Sequence, residues 1–105
     1  MTITEKLVIL SGFVGSEFVP RYDDLRVSDC GKEYQLIWIY SKDDGEIIVT
    51  LRDPDSEQMH DTTLKVYNPN THRYSYNREL INTILKALGR KRVKAVKETL
   101  DYPFK

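Results

Sequence analysis

The sequence predicts an α+β domain, an antiparallel β-meander of four to five strands packed against C-terminal helices, one amphipathic and one short and basic. Three observations carry that expectation. Two runs rich in β-branched and aromatic residues, "EYQLIWIY" and "EIIVTLR", are joined by the glycine-bearing turn "SKDDG". Residues 78–88 space their apolar side chains at a helical period. A chain of 105 residues buries enough surface to fold as a single domain, residues 1–105, without metal or disulfide support.

At the start, Thr2 followed three residues later by Glu5 forms a capping box, and Gly12 is placed to end a helix. A short helix is the expected reading, although "LVIL" and "FVG" would also suit a buried strand. The meander then begins with "LRVS", which passes through the turn "DCGK" into "EYQLIWIY". Strict alternation puts Tyr34, Leu36, Trp38 and Tyr40 on one face and Ile37 and Ile39 on the other. Both faces are apolar, so this strand is expected at the centre, with Trp38 in the core. In "EIIVTLR" the apolar face is Ile47, Val49 and Leu51, and Gly45 supplies the positive φ of the preceding turn. The stretch "DPDSEQMHD" is expected as a polar loop. A further strand, "TTLKVY", turns through "NPN" into "HRYSYN", where Tyr74 and Tyr76 share a face and the sheet ends.

Asn77 is placed to cap the next helix, with Tyr76 and Ile81 as the apolar pair that fixes the entry of the chain. Leu80, Ile81, Ile84, Leu85, Ala87 and Leu88 fill one half of the helical wheel; Arg78, Glu79, Asn82, Thr83 and Lys86 fill the other. Gly89 is expected to stop this helix. A second one follows from Arg90 to about Leu100, with Val93, Val96 and Leu100 as its apolar stripe and Pro103 beyond its end.

The formal net charge of zero conceals a strong separation. Residues 1–62 hold thirteen acids and six bases, a net of −7, whereas residues 63–105 hold ten bases and three acids, a net of +7. The one cysteine, Cys30, excludes an internal disulfide, and the apolar run after Met1 is too short for a signal peptide or membrane span. A cytoplasmic protein with no membrane contact is expected.

Catalytic residue types are sparse. Cys30 sits in a tight turn beside Asp29 and Glu33, which disfavour a thiolate. Asp53, Asp55 and Glu57 reproduce the first ligand spacing of a calcium loop, but Gln58 stands where the sharp turn needs glycine and Leu64 where it needs a bidentate glutamate. No metal or cofactor is expected. His72, Arg73 and Tyr74, together with the basic helix, could supply the acid, base and cation of a metal-independent ribonuclease. With His60 elsewhere in the chain, that remains the subordinate reading, and a protein that is not an enzyme is expected.

The strongest signal is "RKRVKAVK", with Arg90, Lys91, Arg92, Lys94 and Lys97 inside eight residues and no acid. Extended by Lys86, Arg78 and Arg73, it suits phosphates laid along a groove and predicts a non-catalytic partner of nucleic acid or of a nucleic-acid complex. Nothing in it distinguishes DNA from RNA. The alternative lies in Asp43, Asp44, Glu46, Asp53, Asp55, Glu57 and Asp61, which would form an acidic edge imitating a phosphate track, as an inhibitor of a nucleic-acid enzyme requires. Pairing of the acidic part of one copy with the basic part of another leaves a homo-oligomer open.

Overall fold

The computed structural model describes residues 1–18 and 25–101, with residues 90–101 described as backbone only. The chain opens with helix α1 (Ile3–Ser11), whose Thr2 side chain accepts a hydrogen bond from the Glu5 amide at 3.2 Å, as the capping box requires. Gly12 closes it, its amide bonding back to Ile9. Strands β1 (Ser16–Glu17) and β2 (Arg26–Asp29) lie in succession along one edge of the long strand β3 (Lys32–Ser41). Strand β4 (Ile47–Arg52) pairs with the other edge of β3, and β5 (Met59–Thr63) follows β4; every pairing is antiparallel. Strands β6 (Lys65–Asn68) and β7 (Arg73–Tyr76) form a separate two-stranded ribbon, and helix α2 (Arg78–Asp101) completes the chain.

The turns follow local chemistry. Between β2 and β3, Cys30 and Gly31 both take positive φ (51° and 80°), the geometry of a two-residue hairpin whose twist matches its strands. Between β3 and β4, Gly45 at φ 84° closes the loop and its amide donates to the Lys42 carbonyl at 2.9 Å.

One sheet face carries the core. Val27, Leu36, Ile39, Val49 and Leu51 pack there with Leu10 of α1 and with Leu80, Ile81, Ile84, Ala87 and Leu88 of α2, all essentially solvent-free. The expected apolar half-wheel of residues 80–88 is therefore the buried one, with Leu85 half-buried at its margin. Asn77 caps α2 as expected, its side-chain oxygen accepting from the Leu80 amide at 3.1 Å.

The structure corrects the sequence reading in three places. In β3, Leu36 opposes Leu51 while Trp38 opposes Thr50, so Ile37 is an extra residue, a β-bulge. The bulge reverses the alternation: Leu36 and Ile39 share the core face, and Trp38 turns to the opposite face, 40% exposed, with Tyr40 beside it. The carbonyl of Ile37 is used by the Phe18 amide at the end of β1.

The second correction concerns residues 59–68. Met59, His60 and Asp61, expected in a loop, begin β5, and "TTLKVY" is not one strand. It divides at Leu64, whose side chain is buried in the core, so the chain leaves the main sheet there and starts the ribbon. Its carbonyl accepts from the Asn77 amide at 2.7 Å, which closes the base of the ribbon where β7 passes into α2.

Third, α2 runs through Gly89 without a break. Glycine ends a helix by adopting a left-handed conformation, and Gly89 has no positive φ; the following Arg, Lys and Ala are good helix formers that continue the ladder. The expected stripe Val93, Val96 and Leu100 lies outside the described side chains, and Pro103 lies outside the described residues.

Two substitutions check these corrections by chemical denaturation. Gly89→Ala is expected to stabilise by up to about 1 kcal/mol, because a Cβ there meets nothing within 4 Å and the position is helical; destabilisation would restore the helix stop. Trp38→Ala should leave a cooperatively folded protein, losing less than Leu36→Ala, for which about 2–5 kcal/mol is expected from a core cavity.

Candidate functional site

The basic candidates fall on two connected elements. Arg73 is exposed on β7, and Arg78 and Lys86 are exposed on α2. Arg90, Lys91, Arg92, Lys94 and Lys97 lie on the continuing backbone of the same helix, with side chains outside those described. Because Gly89 does not interrupt the helix, its period places positions 86, 90, 94 and 97 within an arc of about 80°, over roughly 16 Å of axis. With the helix broken at Gly89, Lys86 would not share that register.

The α2 N-terminal half is held firmly by polar contacts that the sequence pattern did not reveal. The Glu79 carboxylate accepts from the Ser28 hydroxyl at 2.8 Å and from the Gly31 amide. Thr83 Oγ1 accepts from the Ser28 amide at 2.9 Å, satisfying an outward N–H of edge strand β2. Asn77 Nδ2 donates to Asp29 at 2.8 Å, and Lys6 Nζ of α1 donates to Asn82 at 2.7 Å. These partners are separated by roughly 50 residues or more of chain, which is why helical spacing alone could not pair them.

The acidic candidates are not collected into one edge. Asp43, Asp44 and Glu46 occupy the β3–β4 turn, whereas Asp53, Asp55 and Glu57 occupy the β4–β5 connection, at the other end of a six-residue strand spanning about 20 Å. Asp53 is engaged with Lys32 at 2.6 Å and its carboxylate also accepts from the Asp55 amide at 2.9 Å. The Lys32 hydrogen bond is the main cause holding the Asp53 carboxyl below its ordinary range, and Asp53 in turn raises Lys32. Glu57 lies 3.4 Å from Arg52. Asp61 sits in β5 on the sheet face opposite the core, where it accepts from Tyr40 Oη at 2.6 Å and from Thr50 Oγ1 at 2.7 Å. Those two bonds, Tyr40's first, hold its carboxyl below the usual value, and the Tyr40 hydroxyl is raised in return.

The residue types with catalytic potential are engaged in ways that explain their settings. Cys30 is exposed, and its thiol is raised by the hydrogen bond and charge of Asp29, with Glu79 adding to the effect. His60 meets the Tyr34 ring edge-on at 5.1 Å. His72 stands in the β6–β7 turn at φ 53°, its Nδ1 3.2 Å from the Tyr67 hydroxyl. The two histidines thus sit apart, His60 in β5 of the main sheet and His72 in the turn of the ribbon. Among the described residues no group of three or more His, Cys, Asp or Glu side chains is arranged to hold a metal ion, and no helix is long and apolar enough to cross a membrane.

The ribbon itself is the feature that the sequence reading undervalued. All eight residues of β6 and β7 are exposed, on both faces. From Leu64 to Asn77 there is no acid, while Lys65, His72 and Arg73 are present with Tyr67, Tyr74 and Tyr76. The signal was the acid-free run with period-two tyrosines; what it lacked was the knowledge that β6 leaves the main sheet.

In comparisons with known proteins, no family model, no curated protein and no solved structure matches this chain.

The Asp61 contacts give a pH test. A carboxyl lowered in the folded state contributes stability that is whole above the unfolded value of about 3.9 and is lost as pH falls through the folded value. Carbon-detected NMR titration should show the Asp61 midpoint moving upward in Tyr40→Phe, with a smaller upward shift in Thr50→Val. An unmoved midpoint in Tyr40→Phe would remove the hydrogen bond as its cause.

Proposed function

We propose that this chain is a small, non-catalytic binding protein that contacts the phosphate backbone of nucleic acid, free or within a nucleoprotein, through the cationic stretch of α2. The observation that carries the reading is the continuity of that helix. Residues 80–88 are anchored in the core, and the same helix continues into the five cations between Arg90 and Lys97. An anchored helix presents charges at fixed intervals, so fewer degrees of freedom are lost on binding than from a loose basic tail. Arg78 and Lys86 add exposed cations to its described part.

The binding chemistry implied is electrostatic. Lys and Arg neutralise phosphates and release condensed counterions, which gives affinity without sequence preference. The single acid within the first three turns of α2, Glu79, is engaged by Ser28 and Gly31. The acidic-mimic alternative needs a continuous carboxylate track, whereas β4 separates the acids of its two turns and Asp61, in β5, is engaged by Tyr40 and Thr50. It is correspondingly less well supported. A ribonuclease would need a second proton-transferring group beside His72, whose described partner is the Tyr67 hydroxyl.

The test is a fluorescence anisotropy titration of labelled oligonucleotides at several salt concentrations. Affinity should fall steeply with salt, with a slope corresponding to roughly four phosphate contacts. Replacing Arg90, Lys91, Lys94 and Lys97 together with Ala should remove most of both affinity and salt dependence. Helicity by circular dichroism should be retained, because Ala is a strong helix former and residues 80–88 still anchor the helix. Absence of any complex at low salt would overturn the proposal.

A further inference from the structure

Ribbon β6–β7 has no evident role in holding the fold. A two-stranded ribbon is marginal on its own, and burying one face against the protein body would be its ordinary means of support. Here every residue of both strands is exposed, and the ribbon carries three tyrosines. Tyr67 and Tyr74 are cross-strand partners with ring centroids 5.1 Å apart and planes inclined at 51°. A cross-strand ring pair supports the ribbon, yet it leaves Tyr67 47% and Tyr74 69% exposed.

Resting on the phosphate-binding reading of α2, we propose that Tyr67 and Tyr74 form a stacking platform for the bases of a single-stranded nucleic acid. Each ring stacks against an unpaired base while nearby cations hold the adjoining phosphates. In a duplex the base faces are already stacked on one another, so exposed tyrosine rings gain nothing there; a single strand can turn its bases outward onto them.

Charge complementarity supports this occupant. Lys65 and Arg73 accompany the ring pair within an acid-free stretch of chain, which leads directly through Asn77 into α2 with Arg78 in its first turn. Carboxylates beside the ribbon limit where the strand lies. Asp44 and Glu46 of the β3–β4 turn border a cleft that Lys65, Tyr74 and Tyr76 also line, and Lys65 Nζ lies over the Tyr76 ring at 5.9 Å. Phosphates are repelled from that cleft at the base of the ribbon. The phosphates are thereby kept on the tip side of the Tyr67–Tyr74 pair, toward Arg73 and the turn bearing His72.

The experiment compares labelled oligothymidylate and oligouridylate of about fifteen nucleotides with a duplex of the same length, in the same buffer, using the full chain. Both single strands should bind more tightly than the duplex. Tyr67→Ala and Tyr74→Ala should each weaken single-strand binding by about tenfold with an unchanged salt slope, whereas Tyr67→Phe and Tyr74→Phe, which keep the ring, should bind as the parent does. Since neither ring belongs to the core, the alanine variants should keep the parent's cooperative unfolding transition, lowered only slightly by loss of the ring pair. Equal or tighter duplex binding, or alanine variants with parental affinity, would overturn the platform while leaving phosphate binding by α2 intact. Failure of every oligonucleotide to bind would overturn both.

Discussion

The contact on which the architecture depends is the packing of Leu80, Ile81, Ile84, Ala87 and Leu88 against the sheet face formed by Val27, Leu36, Ile39, Val49 and Leu51. It couples segments from both halves of the chain, because α2 is the only described C-terminal element that reaches this core beyond Leu64. Full burial of Leu or Ile side chains contributes about 1.5–3 kcal/mol each relative to exposure, so this interface outweighs the polar contacts that orient it. The polar contacts settle orientation instead: Glu79, Thr83 and Asn77 bind the β2–β3 hairpin, fixing the helix along edge strand β2.

Two consequences follow from that single packing. The helix begins immediately after β7, so anchoring it also positions the ribbon, whose base is closed by the bond from the Asn77 amide to the Leu64 carbonyl. It also continues beyond the core-facing turns, so the cationic residues inherit the direction set by residues 80–88. Core packing and the proposed binding surface thus belong to one helix, with the apolar part supplying the anchor and the charged part the proposed contact. The −7 and +7 portions of the chain meet in the fold through apolar packing and a few hydrogen bonds, among them Asn77 with Asp29.

Local signals were legible in the sequence wherever a single element carried the information. The Thr2 capping box, the Asn77 cap, the Gly45 turn, the face Ile47, Val49 and Leu51, and the buried stripe of α2 are all local patterns of that kind. What escaped depended on partners distant in sequence. The bulge at Ile37 is a feature of how β3 pairs with β4, and alternation within β3 contains no trace of it. The division at Leu64 arises because its side chain is needed in the core, which a continuous strand reading conceals. Gly89 was misleading for a different reason: glycine permits a left-handed cap without requiring one. The cationic and aromatic residues themselves were visible, but the exposure of the ribbon on both faces was a tertiary fact.

The most direct test of the account is a map of amide chemical-shift changes as an unlabelled single-stranded oligonucleotide is added to isotope-labelled protein at low salt. The account predicts changes concentrated in residues 65–76 and 86–97, with the two acidic turns at 43–46 and 53–57 unaffected. Changes centred on those acidic turns, or none at saturating oligonucleotide, would contradict it.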